Sequence, residues 1–162
     1  MYNFQRNNYR LKPKPSNIYT PLAVSQFIFE LLRDKVKGTV LDPCCGQGSL
    51  LNPWKESNFL TWGIDIDPKS TADAKMDFFN CQPYESEWND EVGLVLCNPL
   101  FNGYAPKLGS EVWLDKIIEL FGKDIPIVLF APIGFRVNLT RDSNRCIKSR
   151  ARKYQRCLLG FT

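Results

Sequence analysis

The sequence predicts one α/β domain built on a doubly wound, mainly parallel sheet. Three observations predict it. Short apolar runs at 39–43, 59–65, 92–97 and 125–131 have the length and composition of buried strands. Segments with apolar residues at helical spacing alternate with them, most clearly at 21–34 and 111–121. The first run ends in an acid and passes into a turn with two glycines one residue apart, Asp42-Pro43-Cys44-Cys45-Gly46-Gln47-Gly48. A parallel strand delivers its chain to a small-molecule site in this way, and glycines let backbone approach a ligand where a Cβ would collide.

The elements follow in order. Residues 1–17 read as an irregular basic arm, because Lys12-Pro13-Lys14-Pro15 disfavours a helix. Thr20-Pro21 predicts a helix start, with a hydroxyl N-cap and proline in the first turn. Val24, Phe27, Ile28, Leu31 and Leu32 then mark one face of a helix over 21–34. Gly38 leads into the first strand, and a short helix is expected from Ser49 to about Trp54. Phe59 to Asp65 reads as a second strand ending in an acid, and Ser70 to Lys75 as a turn of helix. A loop covers 80–90; Val92 to Cys97 is a buried-type strand that Asn98-Pro99 breaks. Glu111 to Phe121 is an amphipathic helix stopped by Gly122, and Ile125 to Ala131 a further strand. Beyond it, Cys146 to Lys153 reads as helix and Cys157 to Phe161 as a last strand. The expected layout is a single domain over 1–162: the arm at 1–17, a core at 18–135 and a basic segment at 136–162.

Composition narrows the chemistry. The chain has 162 residues, 44% hydrophobic and 23% charged, an ordinary globular balance. No apolar run reaches membrane-spanning length and residues 1–6 lack a signal peptide's apolar core, so the expectation is a cytoplasmic protein with no membrane partner. Six cysteines include no Cys-x-x-Cys pair, and there is no histidine, so no metal site is expected. The absence of histidine also removes Ser-His and Cys-His nucleophile designs. Without a third spaced glycine or a following Gly-Lys-Ser/Thr, the glycine turn matches neither a dinucleotide fingerprint nor a phosphate-cradling loop.

Charge is segregated. Arg6, Arg10, Lys12 and Lys14 face no acid in residues 1–14. Residues 136–156 carry Arg136, Arg141, Arg145, Lys148, Arg150, Arg152, Lys153 and Arg156 against Asp142 alone, which leaves the middle net acidic. Basic ends on an acidic body suggest a polyanionic partner, most simply nucleic acid. The alternative is a solvated basic helix.

In a doubly wound sheet the turns after residues 42, 65 and 97 gather on one edge, where ligands bind. Asp42 and the glycine turn, Gly63-Ile64-Asp65-Ile66-Asp67-Pro68, and Asn98-Pro99-Leu100-Phe101 therefore converge. With these residues in this order, the sequence resembles the S-adenosylmethionine-dependent methyltransferases, and among them the N6-adenine DNA methyltransferases, over roughly 17–132. The resemblance implies their Rossmann-like core and S-adenosyl-L-methionine as cofactor.

It also implies roles. Tyr19-Thr20-Pro21 resembles the motif whose threonine meets the cofactor's methionine carboxylate, and a helix N-terminus suits an anion. Asp42, Pro43, Cys44, Gly46 and Gly48 fall in the family's Asp-Pro-x-Cys-Gly-x-Gly loop, with Asp42 facing the methionine amino group. Asp65 matches the ribose-binding acid, with Ile66 against the adenine. Asp77-Phe78 resembles the pair that reads the adenine amino group and covers its ring. Asn98-Pro99-Leu100-Phe101 is similar to the catalytic Asn-Pro-Pro-Phe/Tyr, which adjoins the cofactor. There the Asn98 Oδ1 and the Pro99 carbonyl accept the two hydrogens of the target amine, localising its lone pair for in-line methyl transfer. Phe101 stacks on the flipped base.

The pattern departs from the family twice. Leu100 replaces the second proline, losing one rigid φ, and only thirty residues follow Pro132, so the final strands and a target-recognition region are expected to be missing. Three functional classes remain open: an adenine N6 DNA methyltransferase of restriction-modification or phage type; an enzyme for RNA bases or protein glutamine, which similar turns serve; and a truncated, inactive module binding cofactor or nucleic acid, with a partner chain supplying recognition.

Overall fold

A computed structural model describes residues 19–82, 92–100 and 109–131. Its sheet has five strands: β1 (Thr39–Asp42), β2 (Thr61–Asp65), β3 (Ala74–Lys75), β4 (Val92–Cys97) and β5 (Ile127–Leu129). The order is β3-β2-β1-β4-β5 and every pairing is parallel. The chain moves outward from β1 through β2 to β3, then crosses back to add β4 and β5 on the other side. The direction of winding reverses between β1 and β4, which opens a crevice at their C-terminal ends.

Burial on both faces explains why the strands read as continuous apolar runs rather than alternating ones. Adjacent residues serve opposite layers. Val40, Leu94, Leu96 and Val128 pack with Ile28, Phe29 and Leu32 of α1 (Leu22–Leu32) and with Trp54 of α2 (Asn52–Glu56). Leu41, Val95, Cys97, Ile127 and Leu129 pack with Trp113, Leu114 and Ile117 of α3 (Gly109–Phe121). Trp54 is fully buried and meets Phe29 and Phe59 edge-on, each at 5.1 Å between ring centres. Truncating such a side chain to alanine costs about 3–5 kcal/mol, so this aromatic trio anchors α1 and α2 to their side of the sheet.

Gly93 permits a close crossing. A Cβ there would lie 1.7 Å from the Lys37 carbonyl oxygen, so the start of β4 runs against the 37–38 backbone as only glycine allows. The β1–β4 register shifts at this level, between Thr39 and Val40.

Several sequence-based expectations need correction. Thr20 does not cap α1: Pro21 is the N-cap residue, no side chain caps the helix, and the first helical residue is Leu22. Ser70 to Lys75 is not a turn of helix, since Ala74 and Lys75 pair with Ile64 and Asp65 as edge strand β3. The helix expected from Ser49 starts later, at Asn52, because tight turns occupy the chain after Gly46. The helix over 21–34 ends at Leu32 and finishes in a 3-10 turn, Arg33–Lys35. The strand at 92–97 falls where expected. The helix at 146–153, the strand at 157–161 and most of the loop at 80–90 lie outside the described residues. Among the described residues, no helix is long and apolar enough to cross a membrane.

Candidate active site

Three strand ends form the site. Asp42 closes β1 at 1% exposure, and its Oδ1 accepts a hydrogen bond from the Cys44 backbone N–H at 3.1 Å. Burial pushes its carboxyl up from the ordinary 3.8 to about 7; the nearby Asp65 charge pushes the same way, against the Cys44 hydrogen bond. A buried acid poised near neutrality is ready to ionise when a cation arrives beside it.

The turn after it is braced from two directions. Gly46 has φ +54° and Gly48 φ +77°, left-handed values natural to glycine. The Gly46 N–H donates to Asp65 Oδ2 at 2.7 Å, and the Gly46 carbonyl accepts from Thr71 N–H at 2.9 Å. Asp65 Oδ1 takes the Asp67 N–H at 2.8 Å. A carboxylate has about four acceptor positions, so Asp65 keeps capacity for a ligand's hydroxyls after both backbone bonds. The Tyr19 ring covers the turn: a Cβ on Gly46 would meet its Cε1 at 3.4 Å. Ile66, next to Asp65, is 71% exposed, an apolar side chain open to a planar ligand. Asp77 Oδ1 accepts from the Phe79 N–H at 3.0 Å, capping a 3-10 turn, Phe78–Asn80.

Phe78 faces the interior. Its ring is 2% exposed and stacks on Trp113 at 5.6 Å between centres, with planes 3° apart. The half-buried neighbour Phe79 meets Trp113 edge-on at 4.8 Å.

Across the crevice, Asn98 follows β4. Its Nδ2 donates to Thr20 Oγ1 at 3.0 Å, joining residues 78 positions apart. Thr20 is 8% exposed, Pro99 is buried and Leu100 is 44% exposed. Cys44 and Cys97 bring their Sγ atoms to 3.8 Å, joining the two strand ends beneath Asp42 and Asn98. Tyr19, Thr20, Asp42, Pro43, Cys44, Gly46, Gly48, Asp65, Ile66 and Asn98 thus belong to one connected region. Phe101 and the basic residues Arg136, Arg141, Arg145, Lys148, Arg150, Arg152 and Lys153 lie outside the described residues.

Sequence reasoning missed two supports. Thr71 binds the Gly46 carbonyl, and Asp73 Oδ2 accepts the Gly63 N–H at 2.7 Å, pinning the approach to Asp65. Neither carries a local signal, because both partners are distant backbone groups. No group of three or more histidine, cysteine, aspartate or glutamate side chains among the described residues is arranged to hold a metal ion.

The family model described as N-6 DNA Methylase matches residues 1–107. The chain belongs to this family. As an N-6 DNA methylase family member it is similar to the Type I restriction enzyme MjaVIII methylase subunit of Methanocaldococcus jannaschii, at 28% identity over 116 residues. That match covers 66% of this chain and 19% of the relative, so the chain spans about a fifth of the relative's length. A solved structure, the plantazolicin methyltransferase BpumL in complex with a pentazolic desmethylPZN analog and SAH, aligns with a TM-score of 0.43 and 18% identity. The alignment covers 85% of this chain and 57% of that one. The all-parallel sheet with helices on both faces is the Rossmann-like architecture of the family, whose methyl donor is S-adenosylmethionine.

The residues fit that donor. Its ammonium group suits the buried Asp42 carboxyl, its carboxylate suits the Thr20 hydroxyl at the start of α1, and its ribose suits the remaining acceptor positions of Asp65.

Proposed function

We propose that the chain binds S-adenosylmethionine at the β1–β4 crevice and methylates the N6 amino group of adenine in DNA. The observation that carries this reading is the orientation of Asn98. With Nδ2 directed to Thr20, the amide's acceptor, Oδ1, is the atom available to a substrate N–H.

The bound donor supplies an electrophilic methyl on a positively charged sulfur. The chain's residues supply position and polarity. An exocyclic adenine nitrogen is a poor nucleophile because its lone pair is delocalised into the ring. The Asn98 Oδ1 and the Pro99 carbonyl, as acceptors for its two hydrogens, draw it toward tetrahedral geometry and localise that pair. The methyl group would pass to that nitrogen from S-adenosylmethionine held at the crevice, and the surplus amine proton would pass to solvent by way of the Asn98 Oδ1 and Pro99 carbonyl acceptors. No histidine base is available or required, and catalysis comes from placement and fixed dipoles. Phe101 is the proposed stacking partner for the extruded base and Asp77 the proposed adenine-side residue of the cofactor site, while Phe78, buried against Trp113, supports that turn from the core rather than covering the adenine ring.

DNA is favoured by the family and by the basic run from Arg136 to Lys153. The match to part of a type I methylase subunit supports assembly with further polypeptide that recognises the target. The test is calorimetric titration with S-adenosylmethionine, followed by incubation of labelled cofactor with separate DNA, RNA and protein pools. Label in DNA, recovered as N6-methyladenine after digestion, is expected. Label confined to RNA or to protein glutamine would move the substrate to that class. Binding without transfer to any pool would make the chain a cofactor-binding module.

A further inference from the structure

We propose that Thr20 is a positioning residue which couples occupation of the cofactor site to the acceptor strength of Asn98. The inference rests on the methyltransferase reading above and assigns Thr20 a second role, beyond contact with the donor.

The local sequence invites Thr20 to cap α1, yet no side chain caps that helix. The hydroxyl is instead 3.0 Å from Asn98 Nδ2 and nearly buried. A threonine hydroxyl has one proton and two lone pairs. Accepting from Asn98 occupies a lone pair and leaves the proton to be donated. The start of α1 favours an anion as its recipient: the helix has eleven residues and no acid in its first turn. A carboxylate there accepts a hydrogen bond from the Thr20 hydroxyl.

Two consequences follow for Asn98. A hydroxyl that donates to an anion becomes a stronger acceptor, so it pulls harder on the Asn98 N–H. Amide resonance then shifts electron density to Oδ1, the atom that accepts from the substrate amine. The bond also fixes which end of the amide faces the substrate. Asparagine is nearly symmetric in shape, and half a turn about χ2 would present Nδ2, a donor, to an amine that is itself a donor. Thr20 therefore holds the amide in its productive orientation and strengthens it when the cofactor carboxylate is present. A base extruded before the cofactor arrives meets a weaker acceptor.

The test uses the full chain and the variants Thr20→Val, which keeps shape but loses the hydroxyl, and Thr20→Ser, which keeps it. Side-chain amide signals of Asn98, assigned by their loss in Asn98→Ala, are followed by NMR as S-adenosylhomocysteine is added to saturation. The wild-type and Ser signals are expected to move downfield, while the Val signal stays. At saturating cofactor, kcat is expected to fall about 10- to 100-fold in Val and to recover in Ser, a loss that excess cofactor cannot repair. A Val variant that keeps both the shift and the rate overturns the coupling alone. A wild-type protein that takes up no S-adenosylhomocysteine by calorimetry overturns the underlying reading as well. Should Val fail to fold, a Ser variant with the Asn98 signal unmoved on saturation overturns the coupling.

Discussion

Asp65 Oδ2 and the Gly46 backbone N–H are 2.7 Å apart, so the acid closing β2 holds the glycine turn that follows β1. The bond is charge-assisted, and the same carboxylate holds the Asp67 N–H through its other oxygen. Replacing Asp65 by asparagine puts an amide donor where one of two backbone donors now points. Stability is expected to fall by about 1–3 kcal/mol, read as a lower urea midpoint. Affinity for S-adenosylmethionine should fall with it, because the turn and the proposed ribose acceptors share this residue. Unchanged midpoint and affinity would remove Asp65 from both roles.

Asp42 gives the folded protein a pH dependence of definite sign. Its carboxyl titrates at about 7 when folded and near 3.8 when unfolded, so the folded state favours the protonated form. The resulting stability is fully present below about pH 3.8, is lost as pH rises toward 7, and stays lost above it. The span from 3.8 to about 7 corresponds to roughly 4 kcal/mol. Asp42→Asn keeps an acceptor for the Cys44 N–H and removes the charge. Urea midpoints between pH 4.5 and 7.5 should therefore separate, with the variant gaining on the wild type as pH rises. Binding of the cationic amino group at pH 6 should release a proton, visible as a buffer-dependent heat that Asp42→Asn abolishes.

At Gly46, backbone strain and ligand approach can be separated by two substitutions. Alanine at φ +54° costs about 1–2 kcal/mol and places its methyl 3.4 Å from the Tyr19 ring. Asparagine tolerates this backbone better but fills more space. Stability should run Gly46, then Asn, then Ala, whereas cofactor affinity should fall at least as far in Asn as in Ala. A variant set in which both properties follow one order would tie the glycine to the turn alone.

Three thiols line the site, and all are held protonated. Cys44 is pushed well above the ordinary 9.0, first by its contact with Cys97 and then by burial. Burial raises Cys97, and burial with the Asp42 and Asp65 charges raises Cys45 to about 12. Iodoacetamide at pH 8 should leave these three residues unmodified in the native protein and label them in urea, as peptide mass spectrometry would show. Above pH 9 the unfolded thiols ionise and the folded ones do not, so stability should decline with further alkali. Rapid native labelling of Cys44 would contradict its environment.

The sequence read well where a signal was local and regular. The run Val92 to Cys97 became β4 residue for residue, since six consecutive apolar or small residues before Asn98-Pro99 leave few alternatives. The motif order placed Asp42, Asp65 and Asn98 at adjacent strand ends. What escaped depended on distant partners. Ala74 and Lys75 form a strand only because Ile64 and Asp65 lie beside them, and two residues carry no periodicity. Thr20 resembled a cap until Asn98 claimed its hydroxyl across the crevice. Phe78 sits in a motif associated with the cofactor's ring, while its place in the core follows from Trp113, on the far side of β4 in sequence.

That stack carries a consequence for how the pocket can change. The turn bearing Asp77 rests on Phe78, and Phe78 lies flat against Trp113 of α3. One aromatic joint therefore ties the turn that carries Asp77 to the sheet-facing side of α3. A substitution on the buried side of α3 would shift the turn that Asp77 caps, and with it the proposed adenine-side contact. With Asp77 in its proposed adenine-side role, donor selectivity and the packing of α3 are linked, and variants selected for an altered donor should accumulate changes at Trp113 or its neighbours.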